Sequence, residues 1–209
     1  MHDGNIRARL LAAMKDTLGN APGIDVRRLP RPVRPLASRR FLESLKPSAV
    51  LVGIVDDPQR MTVLLTERND SMRAHAGQVS FPGGRMDEGD GSYTATATRE
   101  AQEEINLSPQ HVQPIGQLGS YPTVTGFSIA PIVALIDPRA RRHLKPSPAE
   151  VQQIIELPLR HVLHAQHFQR GWLRRGQLRL PYQSLHWRGI TVWGATAAIL
   201  SELSRRLRQ

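Results

Sequence analysis

Gly84–Leu107 reads GRMDEGDGSYTATATREAQEEINL and follows directly on Phe81-Pro82-Gly83. Ser92 is placed to cap a helix, because its hydroxyl accepts from the orphan N–H groups of a first turn. Asn106 is placed to end that helix, since Asn tolerates the left-handed conformation found there. Between them Thr94, Ala97, Thr98, Ala101 and Ile105 recur at helical spacing and form one small face suited to close packing on a sheet. At about 100° per residue, Glu100 and Glu104 lie one turn apart at the edge of that face, and Glu103 sits further round toward solvent. Carboxylates on one short helical segment, beside a bend of paired glycines, suit a hard divalent cation held against a phosphate. Mg²⁺ takes oxygen ligands and is bound through a few carboxylates plus substrate phosphates. On this geometry Glu100 and Glu104 are the principal metal ligands, with Glu103 closing the shell or meeting a second ion.

The plainer reading of Arg99–Glu104 is a solvated face, because Glu is a good helix former. Like charges at i,i+4 cost only ~0.2–0.5 kcal/mol per pair, too little to demand a metal. The helix segment alone leaves both readings open; the glycine pair upstream and the spacing favour the metal.

The segment resembles the Nudix box, G-x5-E-x7-R-E-U-x-E-E-x-G-U with U aliphatic, through Gly84, Arg99, Glu100, Ala101, Glu103, Glu104 and Leu107. It departs at three points. Asp90 stands where the first Glu belongs, eight residues rather than seven precede Arg99, and Asn106 replaces the last Gly. Upstream, Leu64-Leu65-Thr66-Glu67-Arg68, Arg73, Gly77 and Phe81-Pro82-Gly83-Gly84 are similar to the signature of the coenzyme A pyrophosphatase branch, with Asn69 where that branch has Ser or Ala. Thr125-Gly126-Phe127, Pro131, Glu156-Leu157-Pro158-Leu159 and Trp193–Ala197 agree with it.

The resemblance implies an α/β fold of Nudix type, an α/β/α sandwich around a central mixed sheet. It implies hydrolysis of the diphosphate linkage of coenzyme A or acyl-CoA to 3′,5′-ADP and (acyl-)4′-phosphopantetheine, with Mg²⁺ or Mn²⁺ as cofactor. The metal set it implies is Glu100, Glu104 and Glu103 with the Gly83 carbonyl. Glu100 or Glu150 would take the proton of the attacking water, Glu150 being expected in a loop on the far side of the sheet region. Arg68 and Arg73, with Gly84, are the substrate-binding candidates; salt bridging to Glu67 or Asp70 is the alternative for the two arginines. Asp90 is expected to pair with Arg99 and pin the loop to the helix. Other readings remain: a pyrophosphatase for ADP-ribose, NADH or an oxidised nucleotide, an RNA-cap hydrolase, or a non-catalytic ligand-binding protein.

Length and composition bound the rest. The 209 residues suit one domain with an extension: a basic helical segment and Pro-rich linker over 1–45, and a catalytic domain over 46–209 including a C-terminal helix. The extension is expected to cover the core or to mediate pairing into a homodimer. There is no cysteine, which excludes disulfides, zinc–thiolate sites and thiol nucleophiles and fits a cytoplasmic, reducing setting. The N-terminus lacks a signal-like apolar core, and no apolar run approaches the ~20 residues of a membrane span. The formal charge of +10 favours anionic partners. Its arginines cluster before the core and after the box and read as solvated surface. With no recognisable nucleic-acid module, the expected partner is a small nucleotide of the coenzyme A class.

Along the chain, periodicity predicts a helix over 4–18 with Ile6, Leu10, Leu11 and Met14 inward, then extended linker over 29–36 and a helical turn over 39–45. Ala49–Val55 and Met61–Thr66 form a hairpin around Asp56-Asp57-Pro58. Strands are expected over Val112–Tyr121, Phe127–Ile136 and Ala149–Leu157, and a short helix over Pro158–Leu163. A last hairpin joins Leu178–Tyr182 to Leu185–Val192 with its turn near Gln183-Ser184. A final helix covers Thr196–Leu207. His161, His164 and His167 lack the ligand pattern of a metal site, His75 is read as a polar loop residue, and Trp193-Gly194 as a helix anchor and cap. Ser71, Ser80 and Thr125 lack the paired His/Asp of a nucleophile.

Overall fold

The structure, a computed structural model, describes residues 3–19, 23–24, 26–29, 31, 34–69, 77–176 and 178–209. In chain order the elements are α1 (Asp3–Met14), α2 (Arg39–Glu43), β1 (Lys46–Val55), β2 (Thr62–Arg68), β3 (Val79–Ser80), β4 (Gly83–Arg85), α3 (Tyr93–Ile105), β5 (Val112–Gln117), β6 (Tyr121–Pro122), β7 (Phe127–Ile136), β8 (Val151–Pro158), α4 (Leu159–Leu163), β9 (Phe168–Arg175), β10 (Leu178–Trp187), β11 (Ile190–Trp193) and α5 (Gly194–Leu207).

β1 and β7 read as nearly unbroken apolar runs because both of their faces are covered. They pair in parallel from Lys46↔Phe127 to Val55↔Ile136 and form the centre of a mixed sheet. On one face Val52, Ile54, Val63, Leu65, Val133 and Leu135 pack with Ile6, Leu10 and Met14 of α1 and with Leu200, Leu203 and Leu207 of α5. On the other, Ala49, Leu51, Ala130 and Ile132 pack with Ala97, Ala101 and Ile105 of α3. Helices therefore cover both faces of the mixed sheet, the expected α/β architecture.

The N-terminal helix is shorter than its apolar pattern suggests. It stops at Met14, where the Thr17 hydroxyl donates to the Met14 carbonyl at 2.7 Å and Asp16 turns to positive φ. In the linker, Arg34–Leu36 is a 3₁₀ turn rather than extended chain, held by Arg34 donating to the Leu29 carbonyl at 3.0 Å. Pro30 and Pro32 lie outside the described residues.

The β1/β2 hairpin is real but short, pairing only at Ile54↔Val63 and Val55↔Thr62. β1 spends its first half beside β4, at Ser48↔Arg85, Ala49↔Gly84 and Val50↔Gly83. β2 instead takes β8 as its long partner, from Thr62↔Pro158 to Arg68↔Val151. The strand expected over Val112–Tyr121 breaks into β5 and β6, with an irregularity between Pro114 and Gly116.

The last hairpin requires correction. Gln183-Ser184 lies within β10, and the turn falls at Arg188-Gly189, both at positive φ. β9, which the sequence reading did not place, pairs with β10 from Arg175↔Leu178 to Phe168↔Leu185. The misleading signal was Gln183-Ser184, polar residues that read as a turn but occupy strand positions.

Candidate functional site

Two adjacent glycines bring β4 against α3. Gly83 has φ 155, and a Cβ there would lie 2.4 Å from the Ala49 carbonyl oxygen and 2.6 Å from Val50 Cα. Only a residue without a side chain fits that approach to β1. At Gly84 a Cβ would lie 2.5 Å from Cδ and from both carboxylate oxygens of Glu100. The missing side chain is thus the space in which the Glu100 carboxylate sits.

α3 is held at both ends. The Ser92 hydroxyl accepts from Ala95 N at 3.1 Å, and Ser92 has the extended backbone of an N-cap. Asn106 is left-handed at φ 54, ψ 32, its N–H bonds to the Gln102 carbonyl, and Leu107 N reaches the Ala101 carbonyl. The Asn106 side-chain amide adds a bond to the His143 carbonyl at 2.9 Å. The buried face is turned slightly from the expected one: Thr96, Ala97, Ala101, Glu104 and Ile105 are buried, whereas Thr94 and Thr98 are half-buried.

Asp90 and Arg99 form a two-point ion pair, Nε to Oδ1 at 3.0 Å and Nη2 to Oδ2 at 2.8 Å. Hydrogen bonding from Arg99 holds the Asp90 carboxyl well below the usual carboxylate range. Arg99 also donates to the Arg85 carbonyl at 3.2 Å, tying the loop after β4 to the helix. The shorter acid reaches its partner despite the extra residue in the loop.

Arg99 also touches two of the three candidate ligands, Glu100 Oε1 at 3.0 Å and Glu103 Oε2 at 3.1 Å. Glu103 is the more exposed and faces Arg99. Among the described residues no trio of acid or His side chains is gathered closely enough to form a preassembled metal cage.

Glu104 is the unusual group. It is only 5% exposed, and among the described residues no partner reaches its Oε2. Burial pushes its carboxyl up to about 8; the positive charge of Arg68 and the Gly83 N–H oppose this, and the charges of Glu100 and Glu150 add to it. Burial also raises Glu100, with Arg99 opposing. A buried carboxylate oxygen lacking a donor is costly unless the group is protonated or meets a cation. Its Oε2 is therefore an orphaned hard oxygen beside a second carboxylate, and the donor set is all oxygen, which fits Mg²⁺ or Mn²⁺.

Glu150 is placed differently from the expectation. It precedes β8 in a turn on the same side as α3, where its charge is felt at both Glu100 and Glu104. Ser147 N donates to the Glu104 carbonyl at 2.8 Å, and Lys145 N to the Ile105 carbonyl at 3.0 Å, so this loop is tied to the end of α3. Asn69 clamps it from the other side: its backbone N donates to the Glu150 carbonyl at 2.9 Å and its amide to the Pro148 carbonyl at 2.8 Å. In the sequence Asn69 is visible only as a departure from the branch pattern. Arg68, at the end of β2, lies within electrostatic reach of Glu104. Arg73, His75 and Ser71 lie outside the described residues. An open cleft of about 610 Å³ between α1 and the end of α5, lined by Arg9, Arg205 and Arg206 among others, includes none of the carboxylates.

A glycine bend feeding an acid-bearing helix, set against a mixed sheet between helices, is an arrangement suited to holding a cation. The family comparison specifies the class: residues 45–185 match the NUDIX domain model, and the chain belongs to that family. It is similar to proteins named Nudix hydrolase NudL, described as uncharacterized. The relative from Photorhabdus laumondii is 39% identical over 176 residues, covering 83% of this chain and 91% of that protein. A relative from Klebsiella pneumoniae is 40% identical over 84% of this chain and 89% of its own length. Among solved structures, a C. elegans Ap4A hydrolase binary complex shares the fold at TM-score 0.50 and 17% identity, over 78% of this chain and 96% of that one. The protein is thus a Nudix pyrophosphohydrolase. The family generally uses divalent cations and binds small nucleotide substrates. No described helix is long and apolar enough to cross a membrane.

Proposed function

We propose that this enzyme hydrolyses the diphosphate linkage of coenzyme A or acyl-CoA, releasing 3′,5′-ADP and 4′-phosphopantetheine or its acyl form. The observation that carries the site assignment is the orphaned Oε2 of buried Glu104 beside Glu100. Glu104 and Glu100 would hold Mg²⁺ or Mn²⁺, with Glu103 and the Gly83 carbonyl completing the set. When bound, the cation neutralises diphosphate charge and lowers the pKa of a bound water. Arg99 keeps Glu100 and Glu103 aligned through the bonds described above. Glu100 or Glu150 accepts the proton of the attacking water, and the Asn69 clamp keeps Glu150 on the side of α3. Arg68, at the end of the Leu64–Arg68 motif, meets phosphate, and Arg73 is assigned the same role on the motif alone.

The substrate reading rests on the upstream motif, Leu64 to Arg68 with Phe81 to Gly84. Coenzyme A carries a diphosphate and a 3′-phosphate, and the formal charge of +10 is compatible with such an anion. We read residues 46–209 as the catalytic domain and 1–45 as an extension whose helix packs its Ile6, Leu10 and Met14 into the shared core. The absence of cysteine suits a cytoplasmic enzyme, and pairing into a homodimer through the extension is part of the same reading. Incubation with coenzyme A and Mn²⁺, followed by mass analysis, tests the assignment. Masses of 3′,5′-ADP and phosphopantetheine are expected. Cleavage of ADP-ribose, NADH or an oxidised nucleotide with coenzyme A left intact overturns the substrate.

A further inference from the structure

The β9–β10 hairpin carries an arrangement that hydrolysis leaves unused. Between Glu156 and Glu202 the chain has no acidic residue, yet it holds Arg160, Arg170, Arg174, Arg175, Arg179 and Arg188. Pairing register sets Arg174 directly opposite Arg179, Trp172 opposite Pro181 and Arg170 opposite Gln183. Opposed residues share a face and neighbours alternate, so Arg170, Trp172, Arg174 and Arg179 stand together on one face. Like charges directly opposite destabilise a strand pair. Trp172 is 61% exposed, unusual for a residue type that is mostly buried on average. The Arg179 guanidinium lies 5.7 Å from its ring centroid. The missed strand is the reason this face was invisible in the sequence, where the arginines read as scattered solvated charge.

We propose that this face of the hairpin binds single-stranded nucleic acid, with a base stacked on the Trp172 indole and phosphates met by Arg170, Arg174 and Arg179. An exposed aromatic ring among guanidiniums is the combination such strands use: the ring takes any base, and the cations follow the backbone. Other occupants fit less well. A second copy facing this one would set arginine row against arginine row. A bilayer needs one continuous apolar face, but the exposed apolar residues Trp172 and Leu173 are sequence neighbours and point to opposite faces. The formal charge of +10 steers any polyanion toward the molecule.

The test uses the full chain and a short fluorescein-labelled oligouridylate, followed by anisotropy at several salt concentrations. Binding is expected, with a log–log salt slope that shrinks by about 0.7 for each arginine removed in Arg174→Ser and Arg179→Ser. Trp172→Ala should weaken it roughly five- to a hundredfold, and Trp172→Phe should restore most of the loss. All of these side chains are exposed, so melting temperature and nucleotide hydrolysis should stay at wild-type values, which separates this surface from the active site. Four results would overturn the proposal: no binding by the wild-type chain, Trp172→Ala binding as the wild type does, polyglutamate displacing the strand as well as unlabelled RNA does, or Trp172-dependent binding seen only with phosphatidylserine vesicles.

Discussion

Gly84→Ala separates the site from the scaffold. The added methyl would lie 2.5 Å from the three carboxyl atoms of Glu100, and ordinary contact begins near 3.4 Å, so the carboxylate must retreat by about 0.9 Å. Glu100 ends in a flexible chain and can swing aside without moving backbone. Gly84 does not have the positive φ that penalises a side chain, so Ala itself is tolerated there and lowers unfolded-chain entropy by about 0.4–1 kcal/mol. The weakened Arg99–Glu100 pair opposes that gain by a comparable ~0–1 kcal/mol. Melting temperature should therefore move by no more than about 4 °C in a chain of this size. Turnover should fall about a hundredfold, the loss that an ångström-scale misplacement of a reacting group produces. Gly83→Ala is the contrasting variant, because its methyl would strike the Ala49 carbonyl and Val50 Cα, both backbone, and should destabilise the fold severely. The assay pairs steady-state hydrolysis with thermal melting of each variant. A Gly84→Ala enzyme that keeps turnover within a few-fold of wild type would refute the placement of Glu100 in the reaction.

Glu104→Gln should lose about a hundredfold or more in turnover while remaining folded, since a metal centre supplies several kcal/mol and each ~1.4 kcal/mol is tenfold. The same residue sets a pH dependence. Its carboxyl rises from an ordinary 4.5 to about 8 in the folded chain, so the native state binds the proton more tightly than the unfolded state. The Glu104 contribution to metal-free stability should be full below pH 4.5 and decline as pH rises toward 8, by at most about 5 kcal/mol. Melting curves in chelator should show this decline, Mg²⁺ should reverse it, and Glu104→Gln should abolish it. Asn69→Ala removes the amide bond to Pro148 and should lower turnover by up to roughly tenfold with little change in melting temperature. In a Glu150→Gln background the same change should add nothing, and independent, multiplicative losses would show that the clamp does not act through Glu150. Ser92→Ala should cost about 1 kcal/mol through the lost N-cap, read as a fall of about 2–4 °C in melting temperature with hydrolysis unchanged at room temperature.

What was legible in the sequence was local and periodic. Ser92 and Asn106 bound the helix because capping chemistry acts within a turn, and the two-sided sheet showed itself as apolar runs in β1 and β7. The box carboxylates were legible as a set, but their individual environments were not. Helical spacing puts Glu100, Glu103 and Glu104 on adjoining positions and Glu103 one turn from Arg99; the burial of Glu104 and half-burial of Glu100 come from tertiary packing that spacing does not show. Glu150 was expected on the far side of the sheet; the pairing of β8 with β2, a long-range contact that local pattern does not show, instead carries its loop to the end of α3. β9 was hidden because its alternation sets arginines on an exposed face, where strand periodicity carries no apolar signal, and Gln183-Ser184 then read as the missing turn.

Three things could reconcile a carboxylate as buried as Glu104 with an oxygen that no described residue bonds. Pairing with Arg68 is one, yet with that charge in place the balance at Glu104 still lies with burial. Permanent protonation is the second, but the Arg68 charge and the Gly83 N–H both favour the ionised form, and a residue kept only for packing would be apolar there. The third is a cation, and both glycines argue for it. Gly84 leaves the gap that Glu100 occupies, and Gly83 presents its N–H to Glu104 by running its own backbone against β1. A fold that uses two consecutive side-chain-free residues to set two carboxylates against a strand has arranged negative charge where stability alone would avoid it. We read the counterpart of that charge as a divalent ion, which the oxygen ligands of Glu100 and Glu104 would hold and which would neutralise charge on a diphosphate substrate.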